Sequence, residues 1–327
     1  MAAPSYRFMF FAACVLAATA GALAVVYHGR WQDASAEVEK RSEVNPFAIS
    51  LTKARDREYT FTVENYGYTY RGTSGNLIDD AVLAFGAWEK HILFFLDDYV
   101  NATGTRDRVF VDVGANTGQY VLFMAPRVKA VHAIEPFPPV LKALHANLKL
   151  NPFTNVTVHE VGLGEREATI PFFEPADDAH QAGGSFRGEG HEGHGQKRGA
   201  DLRVVPGDAL LAGTGPIGVM KIDIEGYEEA ALKGLRKTLE THRPLVVLEV
   251  STAPAGTIGS LEQLKALFPD RYECFVLAES EKQFVNGRYE VNEFAPTAAA
   301  FFKAGGQRNL VIVPAEHAAK MPRRRSN

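Results

Sequence analysis

The sequence predicts an α/β fold, a mostly parallel sheet with helices on both faces, and three observations carry that expectation. From Val109 onward, short apolar runs alternate with segments of helical spacing, the order that builds parallel sheets through crossover helices. The first run, Val109–Val113, enters a loop holding Gly114 and Gly118, with Asp112 two residues before the first glycine. The next run, Ala130–Ile134, closes on Glu135. Bare backbone lets a ligand lie where a side chain would clash, and the carboxyl edge of an open α/β sheet is where nucleotide-like ligands bind.

Taken in order, residues 1–30 read as an N-terminal membrane anchor of the signal-anchor type. Phe8–Tyr27 carries no charged residue and is bounded by Arg7 and His28-Gly29-Arg30; a helix crosses the hydrocarbon core in about 20 residues. Ala18-Thr19-Ala20 and Ala22-Leu23-Ala24 keep a cleavable signal peptide as the alternative. Arg7 on one side faces Arg30, Lys40 and Arg41 on the other, which leaves the side of the membrane open. Residues 31–57 read as a juxtamembrane linker. Residues 58–100 read as a hairpin and helix that pack on the main domain: Glu58–Arg71 alternates around Asn65-Tyr66-Gly67, and Ile78–Tyr99 has helical apolar spacing.

The main domain spans 101–316. Its strands are Val109–Val113, Ala130–Glu135, Asn155–Val161, Val219–Ile224 and Leu245–Val250, with Tyr272–Leu277 and Leu310–Pro314 closing the sheet. Helices are expected from about Thr117 and over Pro138–Leu150, Tyr227–Thr241 and Ser260–Phe268. Ala168–Phe173 and Leu202–Pro206 read as a shorter additional pair. Between them, 174–200 is glycine-rich and polar, with His180, His191 and His194, a composition that builds no packed core and reads as a flexible loop. Its His-x-x-His pair lacks the partner ligands of a structural zinc site, and a lid over substrate is the better functional expectation. Residues 317–327, with Arg323-Arg324-Arg325, read as a solvated basic tail. The net charge of −4 supplies no field for nucleic acid. The two cysteines, Cys14 and Cys274, provide no disulfide within the main domain.

The glycine loop bears on which ligand is held. A dinucleotide site wants G-x-G-x-x-G, but Gly114-Ala115-Asn116-Thr117-Gly118 lacks the middle glycine. Asp112 would also repel a pyrophosphate. S-adenosylmethionine has no phosphate and carries an ammonium and a sulfonium, which suit an acidic strand end. Glu135 bonds ribose hydroxyls under either reading. A nucleotide- or NAD-binding enzyme on a related sheet, and a membrane-tethered module without catalysis, are the alternatives.

A second constellation, Lys221-Ile222-Asp223-Ile224-Glu225-Gly226-Tyr227-Glu228, ends the fourth main strand. Alternation turns Lys221, Asp223 and Glu225 to one face. Glu228 and Glu229 suit a helix N-terminus, which leaves Asp223 for the ligand.

VFVDVGANTGQY, Glu135-Pro136 and KIDIEGYE, in this order and spacing, resemble the FkbM-type S-adenosylmethionine-dependent methyltransferases over roughly Trp88 to Val250. Gly162-Leu163-Gly164, Gly183-Gly184-Ser185-Phe186 and Leu248-Glu249-Val250 fit the same pattern. The resemblance implies a class I methyltransferase, Rossmann-like, with a seven-stranded sheet, that O-methylates hydroxyls of sugars or polyketides. It implies a cofactor set of Asp112, Gly114, Ala115, Asn116, Gly118, Glu135, Pro136 and Gly162, with Glu135 on the ribose and Asp223 and Glu225 beside the transferring methyl. Asp223 or Glu225 would act as base or as ligand to a divalent ion, no metal being specified by the sequence; His159 and His180 are weaker candidates. Gly207-Asp208 departs from the family, which often shows two acidic residues there. The expected acceptor is a small molecule or glycan, with glycolipid or lipid-linked acceptors made accessible by the anchor.

Overall fold

Turn chemistry sets the first element. Tyr66 and Gly67 both have positive φ, 49° and 85°, the left-handed pair that matches the twist of a two-residue hairpin. The structure, a computed structural model, describes residues 49–53, 59–175, 184–186, 196–251, 258–279 and 287–325. Strand β1 (Ile49–Lys53) pairs antiparallel with β2 (Tyr59–Asn65), and β2 with β3 (Tyr68–Thr73). The linker read over 31–57 therefore contains a strand, a correction, since the hairpin has a third member. Phe8–Tyr27, the expected anchor, lies outside the described residues. Among the described residues no helix is long and apolar enough to cross a membrane.

Helix α1 (Leu77–Phe85) starts at Asn76, whose side chain accepts from the Asp79 amide, and stops at Gly86 with φ 84°. Helix α2 (Lys90–Thr103) begins after Glu89, itself left-handed at φ 47°. The single helix expected over Ile78–Tyr99 is thus two, because Gly86 supplies a left-handed stop that apolar periodicity does not register. The hairpin is bolted to the glycine loop through Tyr70. Its hydroxyl donates to Asp79 Oδ1 at 2.5 Å and receives Thr117 Oγ1 at 2.6 Å, fully buried. Tyr70→Phe should cost about 1–3 kcal/mol, the penalty for leaving buried polar partners unsatisfied, read as a lowered thermal midpoint.

The main sheet grows from β4 (Val109–Val113), followed by α3 (Gln119–Met124), β5 (Ala130–Ile134), α4 (Pro138–Lys149) and β6 (Val156–His159). Three further strands, β7 (Gly162–Leu163), β8 (Ala168–Pro175) and β9 (Gln196–Val205), form a small separate sheet in the order β7-β9-β8. The expected third strand over Asn155–Val161 is therefore shorter, confined to Val156–His159, and the chain leaves the main sheet before the small sheet starts at Gly162. The additional pair is longer than expected and takes in both ends of the segment read as a 174–200 loop; His180, His191 and His194 lie outside the described residues.

Next come α5 (Gly207–Leu210), β10 (Ile217–Ile222), α6 (Glu228–Gly234), α7 (Arg236–His242) and β11 (Leu245–Ser251). The helix expected over Tyr227–Thr241 is interrupted at Leu235. Gly234 packs so closely there that a Cβ would stand 2.0 Å from the Gly164 carbonyl oxygen. The chain ends through α8 (Leu261–Ala266), β12 (Tyr272–Glu279), β13 (Tyr289–Glu293), α9 (Ala295–Ala304), β14 (Gln307–Pro314), α10 (Ala315–Ala318) and β15 (Arg324–Arg325).

Among the described residues, nine strands run in the order β15-β13-β12-β14-β11-β10-β4-β5-β6. The five from β11 to β6 are parallel to their neighbours, whereas β14, β12, β13 and β15 add antiparallel. The expected seven-stranded, mostly parallel sheet is corrected on both counts. Strands β13 and β15 are short and polar, so they carry no apolar run to announce them. Alternation along β4 sends Phe110 to one core, with α2, α3 and α4, and Val109, Val111 and Val113 to the other, with α6, α7 and α9. Helices thus cover both faces. The basic tail is docked rather than free: Arg325 Nη1 lies 3.0 Å from Asp98 with its guanidinium 4.4 Å over the Phe94 ring, and Arg323 sits 4.1 Å over Phe275.

Candidate active site

Strands β4 and β10 pair in register, Asp112 beside Lys221, so their carboxyl ends deliver both constellations to one place. Gly114 has φ 85°, and a Cβ on it would stand 1.9 Å from the Asp223 carbonyl oxygen. Only a residue without a side chain lets the two loops touch. Asn116, at φ 49°, accepts the Thr117 amide on its own side chain at 2.7 Å. Glu135 fastens the loop from the next strand, accepting Asn116 N at 3.0 Å and Phe137 N at 2.9 Å on separate oxygens. Each oxygen keeps capacity for a ligand hydroxyl.

A cavity of about 290 Å³ lies along this edge. Gly114, Ala115, Asn116, Glu135 and Pro136 line it, as do Asp223 and Glu225. The other three predicted cofactor residues stand outside its wall. Gly118, at φ 95°, begins α3 against Leu144. Gly162 lies under Phe186, where a Cβ would stand 2.6 Å from the ring, and acts through Phe186, which does line the cavity. Asp112 is fully buried, and among the described residues neither carboxylate oxygen has a hydrogen-bond partner. Those orphaned oxygens, with the bare Gly114 backbone and Glu135, fit a cationic, ribose-bearing cofactor.

Lys221 Nζ pairs with Asp223 Oδ2 at 2.7 Å and lies 4.4 Å over the Tyr120 ring. Asp223, Glu225 and Glu249 each bring an oxygen within 4.8 Å of the others. A tight turn builds this cluster. Glu225 is left-handed at φ 51°, Ser185 Oγ donates to its carbonyl at 2.6 Å, and Glu228 accepts the Gly226 amide at 2.9 Å. Burial opposes charge throughout, with divergent results. Burial works against ionised Asp223, but the charge of Lys221 together with hydrogen bonds from Glu249 and Lys221 holds the carboxyl below the usual range. Lys221 is likewise pushed up by Asp223 and Glu89 against its own burial. Burial lifts Glu225 to about 8 and Glu249 well upward, with Asp223 reinforcing both. One ionised carboxylate therefore stands among carboxyls biased toward their protonated form.

The pH consequence follows by sign. Burial raises Asp112, Glu135 and Glu228 to about 7 and Glu225 to about 8, against values near 4 in an unfolded chain. The folded state then binds more protons over that interval, so its stability is full below about pH 4 for these groups and falls as pH rises toward 8. Thermal melts of ligand-free protein should show a lower midpoint at pH 8 than at pH 5.5; a flat or rising profile would contradict the burial of these carboxyls.

Sequence reasoning missed Glu89, which lines the cavity and accepts Tyr120 Oη at 2.8 Å and Asn309 Nδ2 at 3.0 Å. It sat inside what read as one helix, and no local signal marks it. Tyr120 and Ser185 lay in quoted motifs without an assigned role. His159 is removed from the site: its Nε2 lies 2.8 Å from His132 Nδ1 in a stacked pair outside the cavity wall.

Comparison with known proteins places these features. AMB antimetabolite synthetase AmbE of Pseudomonas aeruginosa is 27% identical over 265 residues, covering 63% of this chain; the chain spans 12% of that protein's length. Among solved structures, methyltransferase FkbM from Methylobacillus flagellatus KT is 19% identical, with TM-score 0.41, covering 63% of this chain and 44% of its own. Magnesium protoporphyrin IX methyltransferase from Synechocystis PCC 6803, with bound SAM, is 10% identical, with TM-score 0.37, covering 69% of this chain and 79% of its own. The domain match is the more informative. Residues 112–273 match the methyltransferase FkbM domain, a span that opens on the buried aspartate and takes in Gly114, Glu135 and the Asp223 turn, and this part of the chain is an FkbM-type methyltransferase domain.

Proposed function

We propose that this protein is an S-adenosylmethionine-dependent methyltransferase that O-methylates a hydroxyl of a sugar, glycan or glycolipid. The observation that carries the reading is a single cavity edge where Gly114, Asn116 and Glu135 meet the Lys221–Asp223 pair. When bound, the cofactor supplies a methyl group on a positively charged sulfur with a good leaving group already in place. The protein's tasks are alignment and proton removal. Asp223 is the carboxylate that stays ionised, and it would take the proton of an acceptor hydroxyl placed beside it. Glu225 and Glu249 flank it as hydrogen-bonding carboxyls, and Glu135 holds ribose hydroxyls. The uncharged segment Phe8–Tyr27 supports a single-pass, membrane-anchored placement, which would bring lipid-linked acceptors within reach.

Calorimetric titration of S-adenosylmethionine into the protein, beside Asp112→Ala, tests the cofactor reading. Binding is expected in the first and its loss in the second. Radiolabelled methyl transfer to a panel of hydroxylated glycans then tests the acceptor class. A folded protein that binds no S-adenosylmethionine would overturn the reading.

A further inference from the structure

The glycine loop is held from two sides. Gly114 at φ 85°, Asn116 at 49° and Gly118 at 95° are all left-handed. Such backbone persists in a non-glycine residue where the surroundings enforce it, and glycine has the most conformational freedom to lose. On the β5 side, the Ile134 carbonyl accepts the Gly114 and Ala115 amides, and Glu135 accepts the Asn116 amide. Thr117, between Asn116 and Gly118, is held from the other side. Tyr70 gives its one proton to Asp79, so the Thr117 hydroxyl is the donor to Tyr70 Oη at 2.6 Å. The Thr117 carbonyl accepts Asn147 Nδ2 at 3.0 Å. Thr117 lines the cavity, whereas Tyr70 and Asn147 stand behind its wall.

Both grips lead back to β3. Tyr70 lies on that strand, and Asn147 Oδ1 accepts the amide of the next residue, Arg71, at 2.7 Å. Asn151, just beyond α4, accepts the Thr69 amide and donates to the Thr69 carbonyl, each at 2.8 Å. Asp79 fixes Tyr70 from behind. Its second oxygen accepts the Thr73 amide and Asn76 Nδ2, each at 2.8 Å. Tyr70, Asp79 and Asn147 are all buried, so each lost bond would leave a partner unsatisfied away from water. Strand β3 and helix α1 precede Asp112, where the matched family domain begins.

We propose that Tyr70 is a positioning residue for cofactor binding. Acting through Thr117, it holds the glycine loop in the shape that the cofactor fits, which makes the hairpin before the family domain a working part of the cofactor site. The inference rests on the cofactor reading above. Without the phenol oxygen, the Thr117 hydroxyl loses its acceptor and the loop visits other conformations. Apparent affinity then falls in proportion to the fraction of molecules still holding the competent one.

Calorimetry with S-adenosylmethionine, paired with thermal melts, tests it. Tyr70→Phe should weaken binding roughly five- to tenfold, the scale of one net hydrogen bond taken from the competent loop. Thr117→Val should do the same, whereas Thr117→Ser keeps the hydroxyl and should stay within about twofold of wild type. Tyr70→Phe combined with Thr117→Val should bind no more weakly than the weaker single variant, since both remove one interaction. Tyr289→Phe is the comparison for stability alone. That residue is also buried and gives its hydroxyl to Asp98 at 2.7 Å, outside the cavity wall; its loss should lower the midpoint and leave affinity unchanged. Wild-type affinity in Tyr70→Phe would overturn the inference, as would an equal loss in Tyr289→Phe or additive losses in the combined variant. If Tyr70→Phe does not melt cooperatively, the Thr117 variants decide alone, and equal affinity of Thr117→Val and Thr117→Ser would overturn it. Folded wild-type protein that binds no S-adenosylmethionine would instead remove the cofactor reading, and the inference with it.

Discussion

Gly114→Ala should eliminate S-adenosylmethionine binding and cost about 3 kcal/mol or more, the combined scale of a left-handed alanine and a forced backbone displacement. The added carbon would stand 1.9 Å from the Asp223 carbonyl oxygen and 3.1 Å from Ile224 Cγ2. The first neighbour is backbone, so relief requires the β4 and β10 loops to part. That movement would separate the residues expected to hold the cofactor from those expected to act on the acceptor. Gly118→Ala is the informative comparison. It shares the positive φ, at 95°, but its new carbon meets Leu144 Cδ1 at 2.5 Å, the far end of a flexible side chain. Its cost should stay near 1–2 kcal/mol, with binding retained. Paired thermal melts and calorimetry decide the matter. Wild-type affinity in Gly114→Ala would mean that the loops do not meet as described.

Asp223→Asn carries the second large effect, on turnover rather than binding. General-base removal lowers rates by roughly 10²–10⁴-fold, and the amide keeps the shape while losing the charge. The variant should retain cofactor affinity within about tenfold, because Asp112, Gly114 and Glu135 are untouched, while kcat falls by at least about 100-fold. Lys221, 3% exposed on its side chain, then loses its partner. Thermal stability should fall as well, since breaking a buried pair by removing one member costs about 3–5 kcal/mol. Glu249→Gln separates the roles, because its carboxyl is already pushed toward the protonated form by burial and by Asp223. A milder loss of kcat is expected there. Full turnover by Asp223→Asn would exclude it as the base.

The parallel half of the sheet was legible because its strands are buried on both faces, which leaves runs such as Val109–Val113 and Leu245–Val250 almost continuously apolar. The glycine loop was legible because its geometry has few sequence solutions. Helix ends and edge strands were not. Gly86 and Leu235 interrupt helices whose apolar spacing continues across the break. Tyr289–Glu293 alternates polar residues because it lies near the sheet's margin, with Arg324–Arg325 as its outer partner. Within the site, motif residues were found and their supports were not. Glu89 and Asn309 reach the cavity region only through tertiary placement. Gly162 was assigned to the cofactor by resemblance, whereas its small size serves the Phe186 ring.

The hydrogen bond from Asn309 to Glu89 spans 220 positions of chain, and it bears on how the molecule assembles. Contacts of such long range are slow to form, since the entropy of closing the loop precedes any reward. The pocket wall is incomplete until β14 inserts between β11 and β12, so partly folded chains should lack high cofactor affinity. A ligand that binds the finished state alone draws the folding equilibrium toward it by mass action. Cellular levels of the cofactor would then influence how much of the protein survives proteolysis during maturation, as well as how fast it turns over.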